Sequence, residues 1–396
     1  MDREALVARN LAMAEAFKLT PVKHLVRRWI LRTVGTIPFA PMPRLTRRVL
    51  FIRPDHLGDM LLTIPAMQAL KAARPDLELH ALVGPWSAAA LENVSEIDRV
   101  LTIPFPGFTR AENENLPSPY LYAVRVSRML RRIGYDSAVI LRPDHWWGGL
   151  VAHLAGIRRR IGYELPDVAP FLTERIPFEA AHSVVMSMRL VESWAPAVRP
   201  EQIALHFPFT EADDLDVDEL MRRHSLKPDA RVVCIHAGSG TWTKQWDEGR
   251  WAQVGEMLAE QIDATVFLTG RDHELQMAQR IAEGMSSKPV VVAGETQVGQ
   301  LAALFARSVV VLGPDSGPLH LASAVQTPTV ALFGPARVEE FGTWGPPDQH
   351  AILTSEIGCL GCGILDWGAD EPENHPCLRE ITVGRVLEAA RRVARR

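Results

Sequence analysis

From residue 47 onward, short aliphatic runs alternate with stretches of helical period. Arg48-Val49-Leu50-Phe51-Ile52 is a continuous apolar run suited to a strand covered on both faces. A helical stretch opens at Asp59 and runs to about Ala73, with Pro65 expected to kink it or reset its first turn. Strands follow at Leu77–Val83, Val100–Ile103 and Ser137–Leu141, with helices at Ser87–Asn93 and Tyr120–Ile133. A polar, proline-containing loop is expected over 104–118. A second series begins after the proline-rich, acidic stretch 196–230. It has strands at Val232–His236, Thr265–Leu268, Val290–Val292, Val309–Leu312 and Thr329–Phe333. Its helices are expected at Asp247–Ile262, Glu274–Gly284, Gln297–Ala306, Leu319–Ala324 and Val383–Arg395. Strands alternating with helices imply parallel sheets and an α/β class built from two doubly wound halves.

The chain before residue 47 has a different pattern. Leu6, Leu11, Met13 and Phe17 fall on one side of a first helix, and Pro21 interrupts. Val22, Leu25, Val26, Trp29 and Ile30 then recur at helical spacing among Lys23, Arg27, Arg28 and Arg32. Two readings follow: a basic amphipathic helix lying on an anionic membrane surface, or a helix packed on the first domain with its basic face in water. Residues 35–46, with Pro38, Pro41 and Pro43, read as a connector. The expected organisation is a helical extension 1–46, a first domain 47–205, a linker 206–230, a second domain 231–378 and a closing helix 379–396.

Composition narrows the function. The 396 residues carry a net charge of −4, which argues against nucleic acid as the main partner. The charge is uneven: residues 1–48 hold ten Lys and Arg against three acids. Four cysteines are no disulfide framework. Without a secretory signal or a long apolar run, the expected location is cytoplasmic, with peripheral contact at the cytoplasmic face of the inner membrane as the further expectation.

In doubly wound sheets, ligands sit at the carboxyl ends of strands, so the loops there carry the chemistry. His236-Ala237-Gly238-Ser239-Gly240-Thr241-Trp242-Thr243-Lys244 offers glycine amides, hydroxyls and a lysine before a helix, a set that can cradle a diphosphate. It is neither a P-loop nor a dinucleotide fingerprint, and the bland reading is a tight turn. Gly313-Pro314-Asp315-Ser316-Gly317-Pro318-Leu319-His320 follows another strand. Ser316 or Asp315 caps the next helix, or the amides of Ser316 and Gly317 meet phosphate. In the first half, Arg53-Pro54-Asp55-His56-Leu57-Gly58-Asp59 places Asp59 at a helix start, as an N-cap or as a general base, with Asp55 as the spare.

These three stretches, continued by Pro65-Ala66 and by Pro328-Thr329-Val330-Ala331-Leu332-Phe333-Gly334-Pro335, resemble the heptosyltransferases of glycosyltransferase family 9 in order and spacing. The resemblance implies a GT-B fold of two Rossmann-like domains facing across a cleft. It implies inverting, metal-independent transfer of heptose from ADP-heptose to a lipopolysaccharide-core or related glycan acceptor, with no cofactor. Asp59 matches the catalytic aspartate and Lys244 the diphosphate lysine, with Ser239, Gly240 and Thr241 beside it. Asp315, Ser316, Gly317 and His320 match the nucleotide-sugar loop, and Glu274 stands where an acid faces the ribose. Arg53, Arg142 and His145 lie after first-domain strands, where they can meet anionic groups of a lipid-linked acceptor. Trp146 and Trp147 can stack on a sugar or anchor to lipid, or pack in the core. The alternatives are a GT-B transferase using a UDP- or GDP-sugar, and a non-catalytic nucleotide-binding protein. Cys359, Cys362, His375 and Cys377 form either a set of reduced thiols or a structural Cys₃His zinc site, with the reduced set expected.

Overall fold

In the computed structural model the aliphatic runs become two six-stranded, all-parallel sheets. The structure describes residues 2–18, 22–39, 46–108, 118–367 and 370–394. It divides into one compact unit of residues 20–203 and another of residues 1–19 with 204–396.

The 20–203 unit holds β1 (Arg48–Arg53), β2 (Glu78–Val83), β3 (Arg99–Thr102), β4 (Ser137–Ile140), β5 (Arg159–Tyr163) and β6 (Glu174–Ile176), in the order β3-β2-β1-β4-β5-β6. The other unit holds β7 (Arg231–His236), β8 (Ala264–Thr269), β9 (Val290–Val291), β10 (Ser308–Pro314), β11 (Thr329–Leu332) and β12 (His350–Leu353), in the order β12-β11-β10-β7-β8-β9. Each sheet is doubly wound, and its strand order reverses beside its first strand: between β1 and β4, and between β7 and β10. A crevice opens outside the carboxyl ends at such a point because the two flanking crossovers leave in opposite directions. Register fixes what meets there. Ile52 pairs with Ile140 and Ile235 with Leu312, so the loops after each strand pair start side by side.

Burial explains the central strands. Leu50, Ile52 and Ile140 pack with Leu82, Phe105 and Trp147 in one core, and Val233, Ile235 and Val310 with Trp246, Trp251 and Leu268 in the other. Proline at the second position of helix Ile64–Ala73 resets its first turn, and the stretch expected to open at Asp59 starts instead as a separate helix, Leu57–Leu61.

The domain boundaries differ from expectation in three places. The acidic run read as a linker over 206–230 contains the helix Glu211–Arg223. Thr210 Oγ1 accepts the Asp213 amide at 3.1 Å, and Asp213 Oδ2 accepts the Thr210 amide at 2.8 Å. Acids there are the favourable charge for a helix N-terminus. Val217, Leu220 and Met221 bury its inner face, and Arg307 meets Asp214 at 2.7 Å. The extension 1–46 is two helices in different units. Arg3–Lys18 packs with the C-terminal unit through Leu6, an Arg3–Glu380 pair at 3.0 Å and Asn10 Nδ2 donating to the Asn374 carbonyl at 3.0 Å. Leu11, Met13 and Phe17, read as sharing one side with Leu6, are exposed. Val22–Gly35 belongs to the 20–203 unit. The closing helix, Val383–Val393, is part of the second core through Val386, Leu387 and Ala390. The parts of the expected loop 104–118 and connector 35–46 that span 109–117 and 40–45 lie outside the described residues, as does Pro21.

Candidate functional site

The reversal point of the first sheet carries a buried charge cluster. Arg53, the last residue of β1, is 5% exposed. Its Nη1 donates to the Leu141 carbonyl at 3.2 Å, its Nε lies 2.7 Å from Asp55 Oδ2 as an ion pair rather than an aligned hydrogen bond, and its Nη2 stands 3.5 Å from Asp59 Oδ1. Arg142, just beyond β4, pairs with Asp55 Oδ1 and, through Nε at 2.6 Å, with Asp144. Burial alone would push the Asp55 carboxyl up, but the Arg53 and Arg142 guanidiniums outweigh it and hold the group below the usual carboxylate range. A carboxylate held ionised by two cations is a poor proton acceptor, which removes the spare general base. Asp59 is different. Its side chain is 31% exposed, and it sits inside the first turn of Leu57–Leu61 rather than at the N-cap, which His56 occupies.

Arg53 and His145, both of the expected acceptor set, take unexpected forms. Every nitrogen of Arg53 meets a protein oxygen, so its visible work is to hold Asp55 and Asp59. His145 is buried against the rings of Phe105 and Phe108, with Nδ1 unpartnered. Burial pushes its imidazole down to about 3, so at neutral pH it offers a neutral ring rather than a cation. The unfolded chain protonates this histidine near 6.5, whereas the folded chain resists down to about 3. Stability from this group is complete above pH 6.5. It declines as pH falls toward 3, by up to about 1.4 kcal/mol per pH unit. His145→Gln should therefore flatten the fall in urea midpoint between pH 6.5 and 4.5, and an unchanged slope would contradict the assignment. Trp147 is core: its Nε1 donates to the Pro119 carbonyl at 2.8 Å and its ring stacks on Tyr122.

The reversal point of the second sheet gathers the two loops singled out in the C-terminal half. Gly313 is forced by close approach: a Cβ there would lie 2.5 Å from the His236 carbonyl oxygen. A Cβ on Gly238 would meet the Glu274 carboxylate, which would have to move. Lys244, in the turn Trp242–Lys244, reaches across to Asp315, just past β10: Nζ and Oδ2 are 2.5 Å apart, with side chains 17% and 7% exposed. Ser239 Oγ donates to the Thr241 carbonyl at 2.6 Å, and the Thr241 and Thr243 hydroxyls are 3.1 Å apart. Thr243 was not among the expected site residues; its Oγ1 donates to the Leu365 carbonyl at 3.1 Å and anchors the turn that carries Lys244. Glu274 is buried, accepts the Arg271 amide at 2.8 Å and lies 3.8 Å from His236.

Ser316 is the N-cap residue of helix Gly317–Ala324, yet its hydroxyl makes no capping bond and is buried without a partner. His320, on the same helix, is buried. Pro318 has no amide proton and the Leu319 amide donates to the Ser316 carbonyl at 3.1 Å, so the Ser316 and Gly317 amides are what this terminus can offer. The helix after the glycine loop, expected to share this role, begins at Glu248, and Asp247 Oδ1 caps it by accepting the Arg250 amide at 2.9 Å.

Among the described residues no group of three or more His, Cys, Asp and Glu side chains is placed to hold a metal ion. The four cysteines are unpaired, burial pushes the Cys377 thiol up to about 12, and His375 Nε2 meets Asp370 at 2.8 Å. No described helix is long and apolar enough to cross a membrane.

Comparison with known proteins converges on one family. The profile of glycosyltransferase family 9 (heptosyltransferase) matches residues 123–362, well over half of the chain. Lipopolysaccharide heptosyltransferase 2 of Escherichia coli is 23% identical, over 86% of this chain and 97% of its own length. The crystal structure of a family 9 glycosyltransferase from Veillonella parvula superposes with a TM-score of 0.73 at 22% identity, covering 89% of this chain and 99% of that one. The structure of E. coli ADP-heptose lipopolysaccharide heptosyltransferase II gives 0.68 at 20% identity, covering 87% and 98%. The paired doubly wound sheets are therefore the GT-B architecture.

Proposed function

Because the chain belongs to glycosyltransferase family 9 and is a glycosyltransferase, we propose that it moves a heptose from ADP-heptose to a lipopolysaccharide-core or related glycan acceptor. The observation that carries the donor half is the Lys244–Asp315 pair beside the uncapped Ser316, at the point where the second sheet reverses its strand order. A diphosphate placed there would meet an ammonium, a spare hydroxyl and the Ser316 and Gly317 amides at once. Ser239, Gly240 and Thr241 would line the same diphosphate, with Glu274 toward the ribose and His320 behind the loop. The sugar and base are suggested by the E. coli relatives, which are named for ADP-heptose and for lipopolysaccharide.

In this reading the reaction is a single displacement with inversion. Asp59 takes the proton of the acceptor hydroxyl as its oxygen bonds to the anomeric carbon. The bond from that carbon to the diphosphate oxygen breaks, and ADP leaves with the electron pair. The growing negative charge is met by Lys244 and the Gly317–Ala324 helix terminus rather than by a metal ion. Arg53 positions Asp59, and Arg142 with the neutral His145 lies along the acceptor side. The protein would work in the cytoplasm on an acceptor carried by the inner membrane.

A thermal-shift series with ADP, UDP, GDP and NAD tests the donor assignment. At a hundredfold excess over Kd, a ligand stabilises the folded state by about 2.7 kcal/mol, a rise in Tm of roughly 5–11 °C for a unit of this size. ADP should produce that rise and the others little. An equal or larger response to UDP or GDP would move the reading to a different nucleotide sugar.

A further inference from the structure

The helix Val22–Gly35 sits on its unit with the usual polarity reversed. Arg27 and Arg28 turn toward protein: Arg28 Nε meets Asp167 Oδ1 at 2.7 Å, and the Arg27 guanidinium lies 5.1 Å from the centre of the Trp146 ring. Leu31 is buried and Val34 packs beside the core. The remaining apolar row faces out: Leu25, Val26 and Ile30 are half exposed and Trp29 is 71% exposed. Trp146, the ring under Arg27, also lies 5.8 Å from Tyr120 at the start of helix Pro119–Ile133, where Leu121 is 67% exposed. Neither helix contains an Asp or Glu. Arg32 on the first and Arg125, Arg128 and Arg132 on the second are exposed.

Against water this arrangement is unfavourable, since a tryptophan and several aliphatic side chains stay wet while two guanidiniums are spent on the protein side. Against a lipid surface each term changes sign. The apolar row enters the acyl boundary, the indole takes its preferred depth, and outward arginines meet headgroup phosphates. We propose that Leu25, Val26, Trp29 and Ile30, together with Leu121, seat this unit on an anionic lipid surface, with Arg32, Arg125, Arg128 and Arg132 on the lipid phosphates. A second copy of the chain is the poorer occupant. Two-fold pairing sets the same patch against itself, and an acid-free patch would bring arginine against arginine. A lipid-linked acceptor gives the surface its purpose, and to that extent the surface rests on the function proposed above.

The test uses the full chain and sedimentation with vesicles of phosphatidylcholine alone or mixed with phosphatidylglycerol, all lacking any glycan acceptor. The wild type should bind the mixed vesicles more strongly than the neutral ones. Trp29→Glu combined with Leu121→Glu should lower partitioning at least about tenfold with an unchanged melting temperature. Arg32→Gln with Arg128→Gln should shrink the preference for the anionic vesicles. Should the double-glutamate chain unfold, Trp29→Ser with Leu121→Ser must reproduce the loss. Equal partitioning of wild type and variant overturns the proposal. So does the absence of vesicle binding, or a wild-type dimer that the variant abolishes without any vesicle binding. Because the vesicles hold no acceptor, failed binding leaves the transfer reading intact. Failed transfer to a soluble acceptor leaves the lipid surface intact.

Discussion

Replacing Asp59 by Asn should lower kcat by about 10²–10⁴, the usual size of a general-base contribution, with little change in the KM for the donor. The amide keeps the shape of the carboxylate and loses only its capacity to take a proton. Stability should be nearly untouched. Asp59 is partly exposed, its contact with Arg53 is long at 3.5 Å, and Arg53 keeps Asp55 and the Leu141 carbonyl when Asp59 is neutralised. Steady-state kinetics beside a melting curve checks both halves. Wild-type turnover in a folded Asp59→Asn chain would remove this residue from the chemistry. Asp55 cannot substitute, because its two guanidinium partners hold its proton affinity low.

Lys244→Met should act on both binding and turnover, reducing kcat/KM by about 10²–10³ as expected when one stabilising donor for developing charge is lost. It also strands Asp315, 7% exposed at its side chain, without its ion partner. Removing one member of a fully buried pair costs about 3–5 kcal/mol; the 17% exposure of Lys244 places this case at or below the lower end. The two effects separate in the double variant Lys244→Met with Asp315→Asn, which should regain melting temperature without regaining activity. Recovery of activity along with stability would mean that the lysine only holds the loop.

The elements that position these residues were readable for a physical reason. β1, β7 and β10 are central parallel strands covered on both faces, so they appear as unbroken aliphatic runs, and the loops that matter follow directly from them. β5 and β6 were missed because Arg159-Arg160 and Glu174-Arg175 break any apolar run, the pattern of strands toward a sheet edge. The acidic stretch after Thr210 resembled a linker because charge composition hides a capping box whose partners are backbone amides. For the candidate site, Asp59, Lys244 and the two C-terminal loops were singled out by motifs that resemble the family's in order and spacing. The clasp of Asp55 between Arg53 and Arg142 was not, since it joins residues 87 apart in sequence. Periodicity found the apolar row of helix Val22–Gly35 and its basic neighbours. It cannot say which of the two faces the protein, and the inward turn of Arg27 and Arg28 reverses the packed arrangement in which the basic face meets water.

A crystal structure of the chain with ADP would test the donor site most directly. The diphosphate should lie within hydrogen-bond distance of Lys244 Nζ, the Ser316 hydroxyl and the Ser316 or Gly317 amide, with the lysine shared between phosphate and Asp315. A nucleotide bound in the 20–203 unit, or anywhere that leaves Lys244 clasped to Asp315 and Ser316 unpartnered, would contradict the account.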